Sequence, residues 1–155
     1  VVETPHNCNA TTIRHCSKPT YVEDAKDNRT DYTYSTTHGG VLTVKQPAVG
    51  GIRPQVTYEY QQLTPSLAGS VTPAAIWVLW REFSCMTSAM DTSGNCGAGA
   101  GDQVVKEYSY TPGNLFLLGT TVTANGQTLR TCFEYDQWGR KISETLPAAN
   151  LTSCS

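Results

Sequence analysis

Two histidines and two cysteines crowd the start of the chain: His6, Cys8, His15 and Cys16. Imidazole and thiolate are the usual zinc donors, yet this spacing follows none of the usual zinc patterns. A cysteine hydrolase is no better served, because two neighbouring cysteines oxidise to each other. The third histidine, His38, stands in loop-like sequence, and no Ser-His-Asp arrangement is readable. Glu23-Asp24 followed by Asp27 resembles part of a calcium loop but lacks the Gly and the closing Glu of an EF-hand, so it reads as a solvated acidic turn. Gly97-Ala98-Gly99-Ala100-Gly101 has the composition of a phosphate loop without its Lys-Ser/Thr end or a following helix, and reads as a flexible linker. No catalytic residue, metal ligand or cofactor site is expected.

What the cysteines offer is cross-linking. Six of them, an even number, suggest disulfides in an oxidising compartment, and hence an extracellular or cell-surface protein. Sequence proximity selects the pairs Cys8–Cys16, Cys85–Cys96 and Cys132–Cys154. A net charge of −2 with only 15% charged residues offers no basic surface for nucleic acid or anionic lipid. The longest apolar run, Ala74 to Trp80, is too short to cross a bilayer. Sequons at Asn9-Ala10-Thr11, Asn28-Arg29-Thr30 and Asn150-Leu151-Thr152 lie outside the expected strands, where glycans would be tolerated. The chain begins at Val1 without Met or signal peptide, and is expected to be a processed product or a piece of something longer.

The elements that hold these residues are read from alternation and turn chemistry. Thr, Tyr, Val and Gly are prominent in a chain of 155 residues, enough for one domain with a core. Residues 1–28 are polar and aperiodic and are expected to form an irregular N-terminal arm. A repeat domain over 29–147 follows, then a tail over 148–155. Within that domain, Tyr32-Thr33-Tyr34 leads through a Gly-rich turn into Val41–Val44, and Pro47–Gly51 turns the chain into Val56–Tyr60. Leu63–Pro73 is a loop. Ala74–Phe83, apolar on both faces, is a central strand with Trp77, Trp80 and Phe83 as core anchors. After a loop over Cys85–Gly101 come Gln103–Tyr110, Leu115–Thr123, Gln127–Tyr135 and Arg140–Leu146, the second of the three turns between them being an Asn125-Gly126 pair.

The second Tyr of each Tyr-x-Tyr falls at Tyr34, Tyr60, Tyr110 and Tyr135. The spacing is about 25 residues with one double step, which places a hidden copy at Phe83-Ser84-Cys85. The expected fold is therefore all-β: an antiparallel meander of about eight strands in hairpins, with irregular disulfide-closed loops, forming an open sheet or part of a barrel or shell.

Phe133-Glu134-Tyr135-Asp136-Gln137-Trp138-Gly139-Arg140-Lys141-Ile142 resembles the repeat of the RHS (rearrangement hotspot) or YD-repeat family, Tyr-x-Tyr-Asp-x-x-Gly-Arg followed by an aliphatic strand. Phe133 stands for the first Tyr. Tyr32 and Tyr34 with Gly39 keep the frame but have Ser35 in place of Asp. Tyr108 and Tyr110 with Gly113 have Thr111 there, and Tyr58-Glu59-Tyr60 has lost the Gly. The similarity runs from Asp31 to Pro147. It implies a β-sheet scaffold: in the family, long arrays of such hairpins spiral into a hollow shell around a toxin or other cargo. The family's protease and toxin parts lie in separate segments that nothing here matches, so no catalytic residue is carried over. A bacterial source, also implied, would make ordinary N-glycosylation less expected.

The functional expectation is a non-enzymatic extracellular scaffold. It would assemble head to tail into a homopolymer through its edge strands or terminal arm, or contribute to a β-shell. Neither nucleic acid nor membrane insertion is expected. The alternative is an adhesion module that binds a surface glycan or receptor through exposed Tyr and Trp rings such as Trp138.

Overall fold

The computed structural model describes residues 2–5, 7–66, 73–113, 115–149 and 151–154. Ten strands follow one another: β1 (Val2–Pro5), β2 (Pro19–Glu23), β3 (Arg29–Tyr34), β4 (Val41–Lys45), β5 (Gln55–Leu63), β6 (Ile76–Cys85), β7 (Gln103–Tyr110), β8 (Leu117–Ala124), β9 (Gln127–Tyr135) and β10 (Lys141–Thr145). They lie in one open antiparallel sheet in sequence order, β1 to β10, so every neighbour in space is a neighbour in the chain. The tight turns explain this order. Asn125 and Gly126 both take positive φ (51° and 70°), as do Gly50 and Gly51 (58° and 82°), the geometry that a two-residue hairpin needs.

The N-terminal stretch differs from the expected irregular arm. β1 and β2 pair with each other, and β2 pairs with β3, placing Tyr21 opposite Asp31 and Glu23 opposite Arg29. These are the two strands beyond the expected eight. Both are short and meet at prolines, Pro5 opposite Pro19, which give no ladder N–H and suppress the local strand signal. They form because β3 offers an edge to pair with.

Residue contacts divide the chain into two compact units, Val1–Tyr58 with Phe83–Gln103, and Glu59–Glu82 with Val104–Ser155. In the first, Arg53 ties β3 to β4: its Nη2 donates to Asp31 Oδ2 at 2.7 Å, to the Arg29 carbonyl at 2.9 Å and to the Lys45 carbonyl at 3.2 Å. The excursion between β6 and β7 buries Met90, whose sulfur accepts from Thr57 Oγ1 at 3.4 Å. In the second unit the tail returns over β8 and β9. Cys154 bonds to Cys132, and its sulfur occupies the place where a side chain on Gly119 would begin.

No large side chain is fully buried among the described residues, and the buried apolar ones are only Met90, Cys96 and Cys132. Two of those three are disulfide cysteines. Trp77 therefore departs from its expected role as a core anchor, being 39% exposed, while Trp80 and Phe83 are half-buried. A strand that is apolar on both faces needs a layer on each face to be buried, and here most strand residues stay half-exposed. Ladder hydrogen bonds, half-buried tyrosines and disulfides hold the fold. The Leu63–Pro73 loop falls partly on residues 67–72, outside the described residues.

Candidate functional site

The groups with potential chemistry are spent on structure. Cys8 and Cys16 are bonded to each other, as are Cys85 and Cys96. His15 is 4% exposed and stacks on the Tyr34 ring at 5.7 Å. His6 lies outside the described residues. Cys85, Cys96 and Asp102 bring their donor atoms within 4.8 Å of one another, a grouping that could suggest a metal. However, both sulfurs are in the disulfide. The Asp102 carboxylate accepts from Thr87 N and Oγ1 at 2.8 and 2.7 Å and from Ser88 N and Oγ at 3.0 and 2.5 Å. Hydrogen bonds from the Ser88 and Thr87 hydroxyls hold this buried carboxyl below its ordinary value, so it serves as an ionised clamp on the loop. The Gly-rich segment is pinned and does not behave as a free linker: Gly97 N donates to Ala89 O at 3.0 Å, Ala98 N to Ser88 Oγ at 3.1 Å and Gly99 N to Cys96 O at 2.9 Å.

What recurs is a device built from a tyrosine, a capped turn and a bulge. The second Tyr ends a strand, and its hydroxyl donates to a main-chain carbonyl on the strand before it. Tyr34 reaches Pro19 at 2.9 Å, Tyr110 reaches Leu79 at 2.5 Å and Tyr135 reaches Leu117 at 2.9 Å. Burial pushes the Tyr34 and Tyr110 phenols up, so they remain donors.

The next residue, Ser35, Thr111 or Asp136, caps the turn. Its N–H donates to the carbonyl of Gly40, Phe116 or Arg140 at 2.9, 2.8 and 2.9 Å. Its own carbonyl accepts from Gly39, Leu115 or Gly139, all three with positive φ (74°, 54° and 79°). Its side-chain oxygen takes up turn N–H groups that would otherwise lack a partner. Ser35 Oγ accepts from Thr37 and His38 at 3.1 and 3.2 Å, Thr111 Oγ1 from Phe116 at 2.9 Å, and Asp136 Oδ1 from Trp138 and Arg140 at 2.9 Å each. Ser and Thr thus perform the task of Asp in two of the three copies. Gly113 is corrected in one respect. It has φ 92°, but the position matching Gly39 and Gly139 belongs to Leu115.

The ladder then slips by one residue at the same point each time. Thr33 faces Thr43 but Tyr34 faces Val41; Ser109 faces Gly119 but Tyr110 faces Leu117; Glu134 faces Ser143 but Tyr135 faces Lys141. The residue left over is aliphatic in every case: Leu42, Leu118 or Ile142. Leu118 and Ile142, with Pro112, Phe116 and Phe133, line a shallow apolar hollow of about 500 Å³.

The other expected positions distribute around this device. Tyr32 lies 6.5 Å from the Tyr34 ring, and Tyr108 donates to Glu82 Oε1 at 2.8 Å. Arg140 pairs with Asp136 at 2.6 Å and places its guanidinium 5.0 Å from the Trp138 ring. Tyr58 and Tyr60 stand inside β5, which runs on to Leu63 without a turn, as their missing Gly suggests. At Cys85 the hidden copy opens into the 86–102 excursion, closed by a bond from Met86 N to Asp102 O at 2.8 Å.

Two further capped turns occur, one where the sequence suggested only a solvated acidic turn and one it did not mark. In Asp24–Asn28 and Asp91–Asn95 the first N–H meets the fifth carbonyl at 3.1 and 2.9 Å, and the Asp Oδ1 accepts from the third and fifth N–H groups, as in Asp136–Arg140. The signal was available as Asp-x-x-(Gly or Asp)-(Asn or Arg), present at all three places. No family model matches the chain, and comparisons with the curated proteins and with the solved structures find no match.

Proposed function

We propose that this chain is a non-enzymatic structural module, an RHS-like repeat whose sheet is extended at its edges. Extension would run head to tail with further copies or within a larger β-shell. One observation carries the reading: the tyrosine, capped turn and aliphatic bulge recur three times in a sheet with almost no fully buried core. Identical joints between consecutive ribbons are what a material built by repetition requires. β1 and β10 terminate the sheet and supply its edges. Three disulfides fit an oxidising environment, and an extracellular or cell-surface location is the proposal drawn from them. No helix is long and apolar enough to cross a membrane among the described residues. Light scattering of the oxidised protein at rising concentration, with negative-stain microscopy, should show mass growing into oligomers or filaments. A monodisperse monomer throughout would sink the polymer reading.

A second reading, adhesion to a surface glycan, draws on Trp138, which is 71% exposed at the tip of a turn. Glycan-array binding abolished by Trp138→Ala would favour it; an array with no signal would remove it.

A further inference from the structure

The hairpin turns at Gly39 and Gly139 are each covered by the connection that precedes them on their own end of the unit, whereas Gly50, Gly51 and Gly126 stand in open space. In the first unit the β1–β2 connection covers the β3–β4 turn. The His15 ring stacks on Tyr34 with an interplanar angle of 11°, Lys18 Nζ donates to the Gly39 carbonyl at 2.7 Å, and the Arg14 main chain fills the space where a side chain on Gly39 would begin. In the second unit the β7–β8 connection covers the β9–β10 turn. Phe116 stacks on Tyr135 at 5.0 Å, and a Cβ on Gly139 would meet its ring at 2.7 Å. Ser66 of the β5–β6 connection similarly donates to the Gly113 carbonyl at 3.1 Å. Twice, then, a ring stacks on the strand-ending Tyr while the same connection closes on the turn Gly.

The β9–β10 turn receives such a cover and presents one. Arg140 is the counterpart of Phe116, since each accepts the N–H of its turn's capping residue. Its side chain is 72% exposed, tied to Asp136 Oδ2, with the guanidinium 5.0 Å from the centre of the exposed Trp138 ring. Beside them runs β10, the last strand of the sheet, with Ile142 64% and nearby Leu146 67% exposed. An indole and a stacked guanidinium offer the planar faces on which a tyrosine ring packs.

We infer that Trp138 and Arg140 are a docking seat for one further β-hairpin, whose strand-ending Tyr and positive-φ turn Gly pack on this pair while its strand lies along β10. The inference rests on the scaffold reading and names the partner's chemistry. The N-terminal hairpin of a second copy does not meet it. That connection contains no Gly, and Ser17, at φ 69°, carries a Cβ where close approach is needed.

The test uses the intact oxidised chain, immobilised, and a head-to-tail cyclised peptide of the Gln127–Thr145 sequence with C132S, measured by interferometry. Saturable binding is expected, weakened about tenfold or more by Trp138→Ala in the chain, by Arg140→Ala in the chain, and by G139V in the peptide. Absence of binding up to about 1 mM, or binding unchanged by all three substitutions, overturns the inference. Growth of the native chain in light scattering alongside a peptide that does not bind would leave the scaffold reading standing and remove this seat. A peptide that binds as expected to a chain that stays monomeric would do the reverse for the homopolymer.

Discussion

Replacing Gly139 by Ala separates backbone strain from packing, because Gly126 provides a matched control in the same unit. Both glycines sit in the left-handed region, φ 79° and 70°. An alanine there costs about 1 kcal/mol in either place. Around Gly126 nothing lies within 4 Å of an added Cβ, whereas at Gly139 the Phe116 ring lies 2.7 Å away. The ring must withdraw, giving up its stack on Tyr135, worth about 1 kcal/mol. Overpacking adds roughly 1 to 2 kcal/mol more. Gly126→Ala should therefore cost about 1 kcal/mol and Gly139→Ala about 3 to 4 kcal/mol. At this chain length that corresponds to a melting temperature lowered by about 3 °C against about 10 °C. Urea and thermal unfolding of the oxidised proteins measure both. In a Phe116→Ala background the cost of Gly139→Ala should fall to that of Gly126→Ala. Equal costs for the two glycines in the parent chain would refute the stacking of turn upon turn.

Three more outcomes follow from the same geometry. Tyr135→Phe leaves the Leu117 carbonyl without its donor and should cost about 1 kcal/mol in urea unfolding; no loss would deny the hydroxyl a structural role. Replacing Cys132 and Cys154 together by Ser opens a 22-residue loop, should lower stability by about 3 kcal/mol, and should make the tail a protease site, read by limited digestion. Acid is the third perturbation. Hydrogen bonds hold the carboxyls of Asp24, Asp91, Asp102 and Asp136 below the ordinary 3.8, so their contribution is complete above that value and lost as pH falls through the lower folded-state values. Stability followed by circular dichroism should be flat near neutrality and decline below about pH 4; a curve unchanged down to about pH 2 would contradict it.

The legible parts of this fold are those whose demands are local. Asn125-Gly126 announces its hairpin because two consecutive positive φ values are tolerated by few other pairs. The three disulfides were legible by proximity, since each closes a loop of its own and joins no distant segments. β1 and β2 were not, because four or five residues bounded by prolines become strands only through pairing with β3. The exposure of Trp77 was hidden for a different reason: a sequence marks a strand as apolar but does not say whether a second layer exists to cover it. At the turns, Ser35 and Thr111 looked like departures from the Asp of the repeat, yet one side-chain oxygen aimed at the turn N–H groups is all the position needs. Phe116 carried no signal at all, since its role depends on Gly139, a full hairpin later.

Amide hydrogen exchange at low and high protein concentration tests most directly whether this sheet grows at its edges. Head-to-tail growth requires the amides of β1 and β10 to slow as concentration rises while those of β8 and β9 stay as they were. Edge amides that exchange equally fast at both concentrations would contradict it.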